Sequence, residues 1–70
     1  MKKSKTLLLL GGSAQQVAAI EKAHASGVRT VLIDFLPDNP GRLVADKWYC
    51  ESSTDIDAVE HIAKIEKADG

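Results

Sequence analysis

A continuous apolar run that ends on two glycines constrains the fold of this chain more than any other feature. Residues 7–10 are all leucine, and Gly11, Gly12 and Ser13 follow directly. Unbroken apolar runs are typical of parallel strands covered on both faces. We therefore predict a buried strand over residues 6–10 that turns on the glycines into a helix. At such a turn the first helix amides and the helix dipole can hold a carboxylate or phosphate, although two glycines can equally form a tight connection and nothing more.

The alternation of strand and helix continues along the chain. The first helix is expected to begin after Ser13, with Gln16 at capping-box spacing, and to end before Gly27. Its sheet-facing side is predicted from helical periodicity as Ala14, Val17, Ala18, Glu21 and Ala25, with Ile20 and His24 at the margin. Further strands are predicted over residues 28–33 and 47–50, and a second helix over residues 55–68.

This order of elements predicts an α/β fold of Rossmann-like, three-layer type. Its sheet would be short and parallel, with three strands in the order 3-2-1 and two main helices, and it would lack at least one strand. The 70 residues are enough for one small domain, which we expect to be a fragment of a longer chain. Without a fourth strand, residues 6–10 would form an open apolar edge, and such edges pair with other chains. We therefore expect a homo-oligomer that forms through this edge.

Composition excludes several classes of function. The net charge is −1 with both signs interspersed, whereas a nucleic-acid-binding domain needs a clustered basic face. No apolar run is long enough for a membrane span or a signal peptide. Cys50 is the only cysteine, so neither an internal disulfide nor a cysteine-based zinc site can form. A lone thiol, which we expect to be buried and inert, fits a reducing compartment and a cytoplasmic location.

Asp34 is the polar residue that closes the second predicted strand. Because the carboxyl ends of parallel strands lie on one rim of the sheet, Asp34 and the glycine turn are expected to share that rim. Asp34 would then either accept a hydrogen bond from a ligand amine or hydroxyl, or cap the loop that follows it. We predict no catalytic residue and no metal site, because no catalytic constellation can be placed and neither His24 nor His61 has a second ligand at metal spacing.

Nucleotide-binding motifs are incomplete in this sequence. The dinucleotide fingerprint G-x-G-x-x-G would begin at Gly11, but Ser13 and Gln16 occupy its second and third glycine positions. The G-K-[ST] of a Walker phosphate loop does not occur. The chain therefore contains no self-sufficient nucleotide site and is expected to bind no cofactor by itself.

The spacing of these features resembles that of a known family over nearly the whole chain. The shared pattern comprises the leucine run with Gly11-Gly12, then Gly27, the segment Asp34-Phe35-Leu36-Pro37-Asp38-Asn39-Pro40, and Ala45-Asp46. It resembles the N-terminal (pre-ATP-grasp) domain of ATP-grasp enzymes, and carbamoyl-phosphate-synthase-like members most closely. The segment 55–70 is similar to that family's next helix and its exit toward a fourth strand.

The resemblance implies a ligase. Such enzymes use ATP and magnesium to activate a small-molecule carboxylate as an acyl phosphate, which is then transferred to an amine or another nucleophile. By analogy, the remaining ATP-grasp domains would hold ATP and magnesium, and this chain alone would be inactive. Gly11, Gly12, Ser13 and Asp34 would bind the substrate by lining one wall of its cleft. The alternatives are a small Rossmann-like module that binds an anionic metabolite without catalysis, and an assembly module that works through its sheet edge.

Overall fold

The computed structural model describes residues 5–70 as a three-stranded parallel sheet with two α-helices. In chain order the elements are β1 (Thr6–Leu10), α1 (Ala14–Ala25), β2 (Arg29–Ile33), a 3₁₀ turn (Pro40–Leu43), β3 (Lys47–Tyr49) and α2 (Ile56–Glu66). The strands lie in the order β1-β2-β3, so the predicted α/β fold and its 3-2-1 strand order are confirmed. Within residues 5–70 no helix is long and apolar enough to cross a membrane.

The hydrophobic core lies on the two faces of β2. On one face Leu32 packs with Leu9 of β1 and Ile20 of α1. On the other face Val31 and Ile33 pack with a buried isoleucine of α2. Since successive side chains of a strand point to opposite faces, the apolar run of β2 is covered by one helix on each side. This arrangement gives the predicted three layers.

Helix α1 contacts the sheet through a different face from the one predicted. Ile20, which the periodicity placed at the margin, is completely buried, and Val17 is half-buried. The other residues of the predicted face are exposed: Ala14, Ala18, Glu21 and Ala25. Burying an isoleucine removes far more apolar area from water than burying alanines, so the helix is rotated to centre Ile20 on the sheet. Because alanines occur on several sides of α1, its periodicity could not indicate which face contacts the sheet.

The start of α1 also differs from the prediction. Ser13 has the extended backbone of an N-cap, but its side chain makes no capping hydrogen bond, so the predicted capping box with Gln16 is not formed. The backbone oxygen of Ser13 instead accepts the N–H groups of Gln16 and Val17 at 2.9 and 3.2 Å. Its hydroxyl therefore remains on the exposed surface of the turn.

The predicted open edge of β1 is partly covered by the end of the chain. The N–H of Asp69 donates to Thr6 O at 2.8 Å, and the N–H of Leu8 donates to the backbone oxygen of Gly70 at 2.6 Å. The side chain of Asp69 also accepts the Thr6 N–H at 2.8 Å. The expectation of a fully open edge is therefore wrong for its first half, because residues after α2 return alongside β1.

Candidate functional site

The glycine turn after β1 has two residues with different requirements. Gly11 has φ +93°, a left-handed conformation that L side chains rarely adopt, and a Cβ there would meet nothing within 4 Å. Gly12 is buried, and a Cβ there would lie 2.2 Å from Asn39 Oδ1 and 2.8 Å from Leu32 Cδ2. Gly11 is thus needed for the backbone path, and Gly12 for close packing.

The structure brings Asp34 and the glycine turn together on one rim. Asp34 Oδ2 accepts the N–H of Gly12 at 2.7 Å, and Oδ1 accepts the N–H of Leu36 at 2.9 Å. The second bond is the local turn by which an Asp caps its own loop, so the structure shows the loop-capping role. The role of Asp34 in binding a ligand remains a prediction.

The loop after β2 packs directly on the glycine turn. Gly41 N–H donates to Gly12 O at 2.9 Å, and a Cβ on Gly41 would lie 2.8 Å from the Gly12 Cα. Asn39, with only 5% of its surface exposed, accepts the Arg42 N–H at 2.9 Å and donates to Leu36 O at 2.7 Å. Sequence reasoning missed Asn39, although an Asn directly before a Pro at the start of a helical turn is a recognisable cap.

Two residues of β3 and its exit also contact this rim. Trp48 Nε1 donates to Asp34 O at 2.8 Å, so the third strand helps to fix the end of the second. Cys50, predicted to be buried, is exposed, with its Sγ 3.5 Å from Phe35 O. The prediction was wrong because β3 ends at Tyr49 and the thiol lies beyond the covered part of the sheet.

Backbone amides and apolar side chains are among the groups that face solvent at this rim. The amides of Gly11 and Gly12 already donate to Ile33 O and to the Asp34 carboxylate. No hydrogen bond among residues 5–70 uses the N–H groups of residues 13–15, the first amides of α1. Leu10, Phe35 and Leu36, which end β1 or follow β2, are each about half exposed. The rim therefore offers an amide-rich helix start beside apolar surface.

The opposite rim, at the amino ends of the strands, contains an open cleft of about 360 Å³. Its lining residues are His24, Gly27, Val28, Arg29 and Asp46. Asp46 Oδ2 accepts the Thr30 N–H at 2.7 Å, and Oδ1 lies 2.8 Å from His24 Nε2. Hydrogen bonds from His24 and from the Thr30 backbone lower the pKa of Asp46. The Ala45-Asp46 part of the sequence pattern thus fastens β3 to β2, away from the predicted site.

A second polar cluster joins α2 to the sheet at the same rim. The Glu66 side chain is only 6% exposed, and its carboxylate lies 2.7 Å from Arg29 Nη2 and 3.2 Å from Lys47 Nζ. The Tyr49 hydroxyl donates to the same carboxylate. The hydrogen bonds from Tyr49 and Arg29 lower the pKa of Glu66 to about 2. Every member of this cluster is paired, so the cluster holds the fold together.

Comparisons with known proteins add no family to this description. No protein-family model matches the chain, and no curated protein matches it. Across residues 5–70 no three His, Cys, Asp or Glu side chains lie close enough to hold a metal ion. The fold and the rim define a small parallel α/β domain with a candidate binding rim formed by Gly11, Gly12, Ser13 and Asp34.

Proposed function

We propose that this chain is the N-terminal substrate-cleft domain of an ATP-dependent carboxylate–amine ligase of the ATP-grasp, carbamoyl-phosphate-synthase-like kind. One observation carries the proposal: separate pieces of the sequence pattern meet at one rim. Gly12 N–H donates to Asp34, and Asn39 packs against Gly12; both residues belong to the shared segment 34–40 and lie 22 and 27 positions further along the chain. A rim assembled from closely packed glycines and a fixed carboxylate is suited to form one wall of a cleft.

The chemistry of the rim fits a small carboxylate substrate. The amides of residues 13–15 point outward from the start of α1, where the helix dipole favours negative charge. Asp34 has two acceptor sites occupied by Gly12 and Leu36, while an ionised carboxylate has about four. The remaining sites can accept hydrogen bonds from a substrate amine or hydroxyl. A molecule that carries both a carboxylate and such a donor would match the two halves of the rim.

Activation of the substrate would take place outside this domain. Other domains of the ligase would hold ATP and magnesium, which together supply the phosphoryl group for activation. The residues of this chain would orient the substrate and exclude water on one side of the cleft. The proposed function places the protein in the cytoplasm, where an exposed thiol such as that of Cys50 stays reduced.

A titration of the ¹⁵N-labelled chain with glycine and acetate, followed by NMR, tests the proposed rim. We expect amide shifts at residues 11–15 and 34–36, larger for glycine than for acetate because only glycine carries an amine for Asp34. Sodium chloride at matched ionic strength is the control. Shifts confined to the opposite rim, or equal to those with chloride, would contradict the proposed site.

The ligase assignment needs its own test, which is the coding sequence downstream of codon 70. We expect it to encode a further strand and then the ATP-grasp domains. A stop codon directly after codon 70 would contradict the ligase assignment while leaving a binding rim intact. The chain alone is expected to show no hydrolysis of ATP with magnesium. ATP hydrolysis that copurifies with the chain would contradict the proposal that other domains carry out the activation step.

A further inference from the structure

Most of the large apolar side chains that this fold exposes lie at the carboxyl rim. Among residues 5–70, six large apolar residues are exposed, and four of them belong to this rim: Leu10, Phe35, Leu36 and Ile56. Leu10 lies in register with Ile33, which is two residues before Phe35. A single exposed apolar residue needs no explanation, but several at one rim are typical of an interaction surface.

Phe35 and Leu36 are exposed although their backbone is held in place. Leu36 N–H donates to Asp34 Oδ1 at 2.9 Å, and Leu36 O accepts a hydrogen bond from Asn39 Nδ2 at 2.7 Å. The Cys50 thiol donates to Phe35 O, with the Sγ at 3.5 Å. These bonds fix the loop while its two apolar side chains stay in contact with water. A surface that is already ordered loses little conformational entropy when it binds a partner.

The same rim is rich in carboxylates. The segments that form it, residues 11–13, 34–43 and 50–57, contain five carboxylates and one cation, Arg42. None of the five carboxylates forms an ion pair within residues 5–70. Asp55 caps α2, but the exposed side chains of Asp38 and Glu51 make no hydrogen bond within the same range. The rim is therefore strongly negative, although the whole chain has a net charge of −1.

We propose that the carboxyl rim docks a partner protein whose contacting surface combines apolar side chains with lysine or arginine. Burial of Phe35 and Leu36 supplies the attraction, because it removes apolar area from water. Basic side chains of the partner complement Asp38 and Glu51, whereas an acidic partner is repelled. The same negative charge disfavours nucleic acids and anionic membranes as occupants of the rim.

This docking surface does not depend on the ligase assignment, since it follows from exposure and charge alone. The two proposals are nevertheless compatible. A basic partner offsets the carboxylates that otherwise repel a carboxylate substrate at the rim.

A fluorescently labelled helical peptide of leucine and lysine is the probe, and fluorescence anisotropy measures its binding to the whole chain. Two control peptides keep the same length: in one glutamate replaces each lysine, and in the other serine replaces each leucine. We expect the dissociation constant of either control to be higher by about tenfold or more, because each lacks one of the two matching properties. Failure of the leucine–lysine peptide to bind, or equal binding of the glutamate peptide, would overturn the proposal.

Substitutions at the rim then locate the binding surface. The double variant Phe35→Ser, Leu36→Ser should weaken peptide binding by about tenfold, because both side chains lose their apolar contact. Ile65→Ser is the matched control, since Ile65 is as exposed as Phe35 and Leu36 but lies at the other end of α2. Binding that the rim variant leaves unchanged, or that Ile65→Ser weakens equally, would contradict docking at this rim.

Charge is tested separately. Asp38→Asn combined with Glu51→Gln should weaken binding and make it less dependent on salt, whereas Glu60→Gln on α2 should change neither property. Sedimentation equilibrium of the parent chain tests a second copy as the occupant instead. Association of the chain with itself that Phe35→Ser, Leu36→Ser abolishes would assign the rim to self-assembly and overturn the proposal of a basic partner.

Discussion

The Asp34 carboxylate accepts the Gly12 N–H at 2.7 Å and thereby joins the end of β2 to the turn between β1 and α1. The backbone oxygen of Asp34 also accepts a hydrogen bond from Trp48 Nε1 at 2.8 Å. One aspartate thus connects all three strands at the carboxyl rim. The candidate site and the stability of the fold therefore depend on the same contacts.

Replacing Asp34 should destabilise the protein measurably. In Asp34→Ala the N–H groups of Gly12 and Leu36 lose their acceptor, so we expect the free energy of unfolding to fall by about 2 kcal/mol in urea denaturation. Asp38→Ala, at an exposed position of the same loop, is the matched control and should change it by less than about 0.5 kcal/mol. Equal effects of the two variants would contradict this account.

Alanine substitutions at the two turn glycines should differ in size. The Cβ of Gly12→Ala would collide with Asn39 and Leu32, so we expect a loss of about 3 kcal/mol. Gly11→Ala meets no atom and is disfavoured only by its positive φ, a cost of about 1 kcal/mol. Thermal and urea unfolding of both variants measure the difference. A larger loss for Gly11→Ala would show that the side chains of Asn39 and Leu32 move easily to accommodate a Cβ at Gly12.

Glu66 should make stability depend on acid pH. Because contacts with Tyr49 and Arg29 lower its pKa from 4.5 to about 2, its contribution is fully present above pH 4.5 and is lost as the pH falls towards 2. Glu66→Gln should be less stable than the parent at neutral pH, and the difference should shrink across that window. Glu60→Gln, on the exposed side of α2, should leave the pH profile unchanged. A constant difference between Glu66→Gln and the parent would contradict the prediction.

Asp46 and His24 share one hydrogen bond but should contribute unequally to stability. Asp46→Ala leaves the buried Thr30 without the acceptor of its N–H, so we expect a loss of about 2 kcal/mol. The His24 side chain is 52% exposed, and His24→Ala should cost less than about 1 kcal/mol. Since the pKa of Asp46 is lowered in the fold, its contribution should disappear as the pH falls below its ordinary value. Equal losses in urea unfolding would show that the pair itself matters most.

Hydrophobic pattern was sufficient to predict the sheet. The leucine run and the β-branched residues of β2 define parallel strands, and residues 6–10 form β1 as predicted, although only Thr6 and Leu9 of β1 are buried. The joining of the glycine turn to Asp34 followed from a general rule about parallel sheets, that strand ends share a rim. These features depend on local sequence and on strand topology, and both can be predicted from a single sequence.

Other features depend on contacts between segments that the sequence does not relate. Burial of Ile20 is decided by which face of α1 meets Leu32, and the surrounding alanines leave that choice undetermined. The packing of Asn39 against Gly12 joins a loop to a distant turn. The hydrogen bonds between Asp69 and Thr6 form only once the residues after α2 have returned to β1. In each case a long-range contact overrides the local pattern.

The two rims of the sheet are stabilised by different kinds of interaction. Hydrogen bonds from uncharged donors to Asp34 stabilise the carboxyl rim, whereas Glu66 forms ion pairs with Arg29 and Lys47 at the amino rim. Dissolved salt screens charge pairs with exposed members much more than it affects hydrogen bonds from uncharged donors. Rising ionic strength should therefore loosen the domain first at the end remote from the candidate site.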